Sequence, residues 1–187
     1  MADIIEQILA RQSCPKLTEP APAAAELEQV LRCGMKAPDH GRLKPWRFVV
    51  LTGQARNRLG QQFLEIKLGE DPDMSPAMQK QVRDKPLRAP MIIVAIAEPK
   101  EHPKVPAIEQ VVAVGCGVQN MQLALASLGY GAMWRTGGLA FHPQVKAFFG
   151  ADEKAEIVGF LYVGTPNGTN KPPETQQVAD TTEFWTE

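Results

Sequence analysis

The sequence predicts an α+β fold in which a central sheet is flanked by helices. Three apolar runs of strand length support this: "WRFVVLTG" (46–53), "APMIIVAIAE" (89–98) and "AEIVGFLYVG" (155–164). The segments between them carry apolar residues at the three-to-four spacing of a helix. The resulting order is helix, helix, strand, helices, strand, helix, strand, helix, strand, tail. That is neither a regular βαβ alternation nor an all-helical pattern.

Residues 2–12 read as an amphipathic helix with Ile4, Ile5, Ile8 and Leu9 on one face. "CPKLTEPAP" stops it, because proline also disfavours helix in the residue before it. A second helix covers about 23–35, with Leu27, Val30 and Leu31 turned inward. The loop "APDHGRLKPW" (37–46) leads into the first strand, which Gly53 ends. Helical material follows to about residue 84, interrupted at "GEDPDMSP", which is either a mobile flap or a plain exposed bend. The strand at 89–98 is apolar on both faces and therefore central.

A long helix over 107–128 has apolar or small residues on nearly every side, which suits a core or a subunit interface. Gly115 and Gly117 each cost about 1 kcal/mol there relative to alanine. Close approach by another backbone would justify them. "YGAMWRTG" (130–137) is a short strand running into a turn, and "HPQVKAFFG" (142–150) is a helix stopped by Gly150. The proline-rich stretch 165–177 is extended and has too little apolar residue to fold alone.

With 187 residues the chain fits a single domain, 1–187, and should bury roughly 70% of the surface its unfolded form exposes. Lys plus Arg number 20 against 21 acids, which argues against a broad nucleic-acid-binding face but not against a local basic pocket. Cys14, Cys33 and Cys116 form no C-x-x-C pair and are odd in number, so a disulfide framework is not expected. His40, His102 and His142 lie in separate segments without ligand spacing, so no metal site is expected. The N-terminus lacks the cationic start and apolar core of a signal peptide, and no run is long enough to cross a bilayer. A soluble, cytoplasmic protein is expected.

Neither G-x-G-x-x-G after a strand, nor G-x-x-x-x-G-K-[ST], nor G-x-S-x-G occurs. A phosphate or cofactor would have to be held by side chains gathered from distant segments. Three stretches could do so. Arg11 and Ser13 offer donors that suit a phosphate monoester, although Arg11 would equally serve the negative end of its own helix. Lys36 and the loop after it bring cations and the His40 imidazole near Trp46, able to bond the carbonyl edge of a heterocycle or simply to be solvated. In "MWRTG" (133–137), Trp134, Arg135 and Thr136 follow a glycine-rich approach, where a buried tryptophan with a surface arginine is the plain alternative.

The joint order of these stretches is more specific than any of them alone. Arg11-x-Ser13, "APDHGRLKPW", "GCGVQNMQLALASLGYGAMWRTG" and "EIVGFLYVGTP" together resemble the nitroreductase family of flavoproteins, in particular its compact bacterial branch. The resemblance covers nearly the whole chain. It implies a mostly antiparallel sheet and a homodimer holding non-covalent FMN in clefts at the subunit interface. Arg11, Gln12 and Ser13 would grip the phosphate end, and Trp134, Arg135 and Thr136 would approach the flavin from the same subunit. Lys36 and His40 would reach it from the other subunit, while Pro38, Asp39, Pro45 and Trp46 would shape the loop. Residues 165–187 would form an extended tail packing on the partner.

The implied activity is ping-pong hydride transfer from NADH or NADPH, through flavin N5, to nitroaromatics, quinones or similar acceptors. A flavin enzyme with a narrower reaction, such as enone reduction or dehydrogenation, and a non-catalytic FMN-binding protein are the alternatives. No residue is an obligatory proton donor, so none is assigned a catalytic role. The chain departs from the family pattern at Gln12, where relatives often carry a second arginine, and in its basic Arg42 and Lys44. The basic pair that larger members carry near the C-terminus has no clear counterpart beyond Lys171.

Overall fold

The computed structural model describes residues 3–168 and 176–186. Its strands are β1 (Leu17–Thr18), β2 (Trp46–Thr52), β3 (Met91–Ala97), β4 (Gly131–Arg135) and β5 (Glu156–Pro166). Its helices are α1 (Ile4–Ala10), α2 (Ala24–Gly34), α3 (Gln54–Glu70), α4 (Pro76–Arg83), α5 (Ala107–Ser127) and α6 (Pro143–Phe148). The sheet runs β2, β3, β5, β4, with β1 bonded to the far end of β5, and every pair is antiparallel. β3 is buried along its whole length, as a run apolar on both faces requires.

The two faces of the sheet carry separate cores. Ile92, Val94 and Ile96 point one way, against Leu59, Phe63 and Leu64 of α3. Ile93, Ala95 and Ala97 point the other way, against Val30 of α2 and Val114, Val118 and Met121 of α5. Burying each large aliphatic side chain contributes roughly 1.5–3 kcal/mol. The register slips once: Ala95 faces Gly159 and Ile96 faces Ile157, which leaves Val158 as a bulge. The bulge lets Ile157 and Phe160, three residues apart, join the same core.

The close backbone approach expected at the long helix is present. A Cβ on Gly117 would stand 2.8 Å from the Gly34 carbonyl oxygen, where α5 crosses α2. Gly115 lies only near the edge of Trp134, at 3.7 Å. The interrupted stretch after α3 is an anchored bend: Met74 is buried, its carbonyl accepts from Gln79 Nε2 at 2.8 Å, and Ser75 caps α4.

Two N-terminal expectations need correction. The first helix is shorter, Ile4–Ala10, and among the described residues nothing buries Ile4, Ile5, Ile8 and Leu9, which stay exposed. The proline-rich break after it contains β1, too short for any periodic signal, held by pairing with Thr165 and Pro166. At the other end β5 continues to Pro166, and Val178–Asp180 makes one exposed 3-10 turn. Lys171 and the middle of the expected tail lie outside the described residues. Among the described residues, no helix is long and apolar enough to cross a membrane.

Candidate functional site

β4 lies at the edge of the sheet, and its side chains alternate between the faces. Ala132 and Trp134 turn toward α5, while Met133 turns toward α3. The Trp134 indole is fixed by its Nε1, which donates to the carbonyl of bulged Val158 at 3.1 Å. Gly159 leaves room for it, since a Cβ there would come within 2.1 Å of that nitrogen. The bulge, the glycine and the tryptophan therefore set where Arg135 and Thr136 emerge from the strand.

The segment after α1 is tied to the start of β4, where the Cys14 N–H donates to the Ala132 carbonyl at 2.9 Å. Beside this junction is a cavity of about 530 Å³ that includes Arg11, Gln12, Gln122 and Tyr130. Arg11 is the residue that caps the C-terminal end of α1, its backbone N–H donating to the Ile8 carbonyl at 3.3 Å. Ser13 is exposed and does not line this cavity.

A second cavity of about 590 Å³ opens where β4 ends, lined by Trp134, Arg135 and Thr136. Phe63, Phe160 and Tyr162 form aromatic walls, and Lys67, Lys85 and Arg88 add positive charge. Arg135 lies over the Tyr162 ring at 5.7 Å, and its buried Nε has no hydrogen-bond partner. Lys67 is paired with Glu70. Among the described residues Lys85, Arg88 and Arg135 have no carboxylate partner, and no acid lines the cavity. Burial, followed by the charges of Arg88 and Lys67, pulls the Lys85 ammonium below the ordinary lysine range. Burial pushes the Tyr162 hydroxyl up, against the opposing pull of Arg135 and Arg88.

Arg11 and Gln12 thus line one cavity and Trp134, Arg135 and Thr136 the other, and a single short strand touches both. Lys36 and His40 line neither. Lys36 borders a groove between Ile4 and Gln7 of α1 and Asn120 and Leu123 of α5. His40 Nδ1 lies 2.8 Å from Glu109 Oε2 at the start of α5. Asp39 shapes the loop between them, accepting from the backbone N–H of Leu43 at 3.2 Å and of Lys44 at 2.7 Å. These bonds hold Arg42 and Lys44 at positive φ beside Gly41, a conformation costly outside glycine.

Lys67, Lys85, Arg88 and the aromatic walls were missing from the sequence reading. The only local signal was the basic stretch "RDKPLRAP" (83–90) before the central strand. Phe63 and Lys67, four apart on α3, share a helix face. A concavity with aromatic walls and unneutralised cations can hold a planar ring that carries negative charge. Among the described residues no group of His, Cys, Asp and Glu could hold a metal ion.

Comparison with known proteins agrees with the fold and motifs. The sequence model of the nitroreductase family matches residues 8–165. The Escherichia coli (strain K12) protein named "Putative NAD(P)H nitroreductase YdjA" is 42% identical over 164 residues, 88% of each chain. A Haemophilus influenzae protein named "Putative NAD(P)H nitroreductase" is 32% identical, over 98% of each. In fold, a nitroreductase-like protein from Bacillus cereus superposes with a TM-score of 0.83 at 24% identity, over 98% of this chain and 96% of that one. A Bacteroides fragilis nitroreductase solved with bound FMN gives 0.74 at 21% identity, over 98% and 100%. The motif order and the antiparallel sheet agree with these likenesses, and the chain belongs to the nitroreductase family.

Proposed function

We propose that this chain is an FMN-dependent oxidoreductase that takes electrons from NADH or NADPH and delivers them to nitroaromatics, quinones or similar acceptors. The observation that carries the reading is the unpartnered, buried Nε of Arg135 at the mouth of a cavity with aromatic walls. An orphaned guanidinium donor costs free energy unless a ligand accepts from it. FMN fits: its carbonyl oxygens could accept from Arg135 beside Thr136, and its phosphate could pair with Arg11. When bound, it supplies the two-electron chemistry that no side chain here can perform.

The chain's own residues then bind and orient. Arg11 and Gln12, which line the first cavity, would hold the phosphate end through charge-assisted hydrogen bonds, whereas Ser13 lies outside that lining. Four residues of β4 at about 3.4 Å each separate that end from Thr136, a span suited to a ring with a ribityl arm. Trp134, locked by Val158, keeps Arg135 and Thr136 at the ring. Phe63, Phe160 and Tyr162 exclude water, which strengthens each polar contact inside. We further propose a homodimer in which Lys36 and His40 serve the neighbouring copy. They line neither cavity of their own chain, and we assign them to the partner's flavin.

The test begins with colour: the purified protein is expected to be yellow, and anaerobic NADH or NADPH to bleach it, with colour restored by a nitroaromatic or quinone. Bleaching without restoration would point to a narrower acceptor, and colour without bleaching to a binding protein. The shared site is checked by mixing Arg11→Ala chains with His40→Ala chains. Each homodimer is expected to be impaired, and each mixed dimer to regain one intact site. Confirmed mixed dimers with no recovered activity would overturn sharing.

A further inference from the structure

We infer that the cavity at the end of β4 selects electron-poor acceptors that carry a negative charge, such as a nitroarene or quinone bearing a carboxylate. This rests on the reading of the chain as a flavin-dependent reductase and names its substrate class. Lys85, Arg88 and Arg135 converge on one concavity with no carboxylate to neutralise them. Lys85 is half-buried there beside like charge, an arrangement folding alone does not reward. Residues held this way are explained by an anion that arrives from outside.

The cofactor's phosphate has its own guanidinium, Arg11, in the other cavity. Arg135 emerges beside Trp134 and Thr136 and is left to the flavin, so Lys85 and Arg88, from the turn Lys85–Arg88, are the surplus. They share the concavity with the rings of Phe63, Phe160 and Tyr162. An aromatic acceptor lodged in this concavity would bring its anionic group to Lys85 and Arg88. The volume, about 590 Å³, lies within the usual range for small-molecule sites. The reduction balances with what the activity supplies: a nitro group takes two electrons and a proton from NAD(P)H and a second proton from solvent. One N–O bond breaks, the oxygen leaves as water, and a nitroso compound results.

The experiment compares kcat/KM for 4-nitrobenzoate, neutral 4-nitrobenzyl alcohol and cationic (4-nitrobenzyl)trimethylammonium on the FMN-loaded protein. Equilibrium titration of 4-nitrobenzoate by calorimetry gives a readout independent of turnover. The native protein is expected to favour the anion and disfavour the cation, and the preference to shrink with added salt. Arg88→Gln and Lys85→Gln are each expected to cut the anion-to-neutral ratio by about tenfold, the size of one charge-assisted hydrogen bond. The ratios of FMN to riboflavin binding and of NADPH to NADH use should stay as they were. A native protein indifferent to charge, or ratios unchanged in both variants, would overturn the inference. So would a loss confined to FMN or NADPH discrimination, which would assign the two cations to a cofactor phosphate. Failure to reduce even the neutral alcohol would fault the assigned activity, and the titration on the purified chain would still decide the charge question.

Discussion

At the scale of single residues, the site contains a group whose charge works against the fold. Lys85 loses proton affinity on folding because burial, then Arg88 and Lys67, disfavour its ammonium. The unfolded chain therefore binds that proton more tightly, and stability rises with pH between the folded and unfolded values. The penalty is fully present below the folded value and gone above the ordinary lysine value of about 10.4. Lys85→Gln should thus raise the melting temperature at pH 7 slightly, since solvent screening weakens the repulsion. Thermal unfolding at pH 7 and pH 10.5 checks this, with the gap between variant and native protein expected to narrow at the higher pH. An equal gap at both would show that packing, not charge, governs the position. The same substitution is expected to weaken acceptor selectivity, so stability and function pull in opposite directions at one side chain.

Among the elements, α5 contains two glycines that look alike in sequence and differ in space. An alanine methyl at Gly117 would meet the Gly34 carbonyl at 2.8 Å, and a backbone atom cannot swing aside. At Gly115 the same methyl meets only the Trp134 ring edge at 3.7 Å, an ordinary contact. Gly117→Ala is therefore expected to destabilise by about 1–3 kcal/mol by forcing the helices apart. Gly115→Ala should stabilise by about 1 kcal/mol through helix propensity. Chemical denaturation of the two variants decides, and matching shifts would show that the α2–α5 crossing does not discriminate them.

The sequence stated that some close approach existed on this helix but not which glycine made it. β3 and β5 were legible because long apolar runs have few other places to go. β1 was not, since two residues carry no period. In the site, Arg11 and the Trp134–Thr136 stretch were legible as motifs, whereas Lys85 and Phe63 meet Arg135 only through the register of β3 and β5. That register depends on a bulge at Val158, which no local pattern announces.

On the scale of the whole molecule, the surface retains apolar groups that a lone chain has no use for. Ile108 and Val112 of α5 are 66% and 56% exposed, and Ile4, Ile5, Ile8 and Leu9 line α1 without cover. Between the two helices runs the groove bordered by Lys36, and Glu109, one residue beyond Ile108, holds His40. The residues we assign to a partner's flavin thus sit on the same side as the uncovered apolar ones. A second copy covering this surface would bury the exposed side chains and carry Lys36 and His40 to a neighbouring site in one step. Isolated exposed hydrophobics need no explanation, but several large ones along two helices invite a covering partner. Replacing Ile108 and Val112 together by glutamate should therefore give a folded monomer by sedimentation, with helical circular dichroism retained. FMN affinity should drop by at least about tenfold, the equivalent of losing 1.4 kcal/mol of partner contacts. Loss of FMN with the dimer intact would place those side chains at the ligand instead. A dimer that keeps its flavin despite both charges would move the subunit contact elsewhere and remove the physical basis for assigning Lys36 and His40 across it.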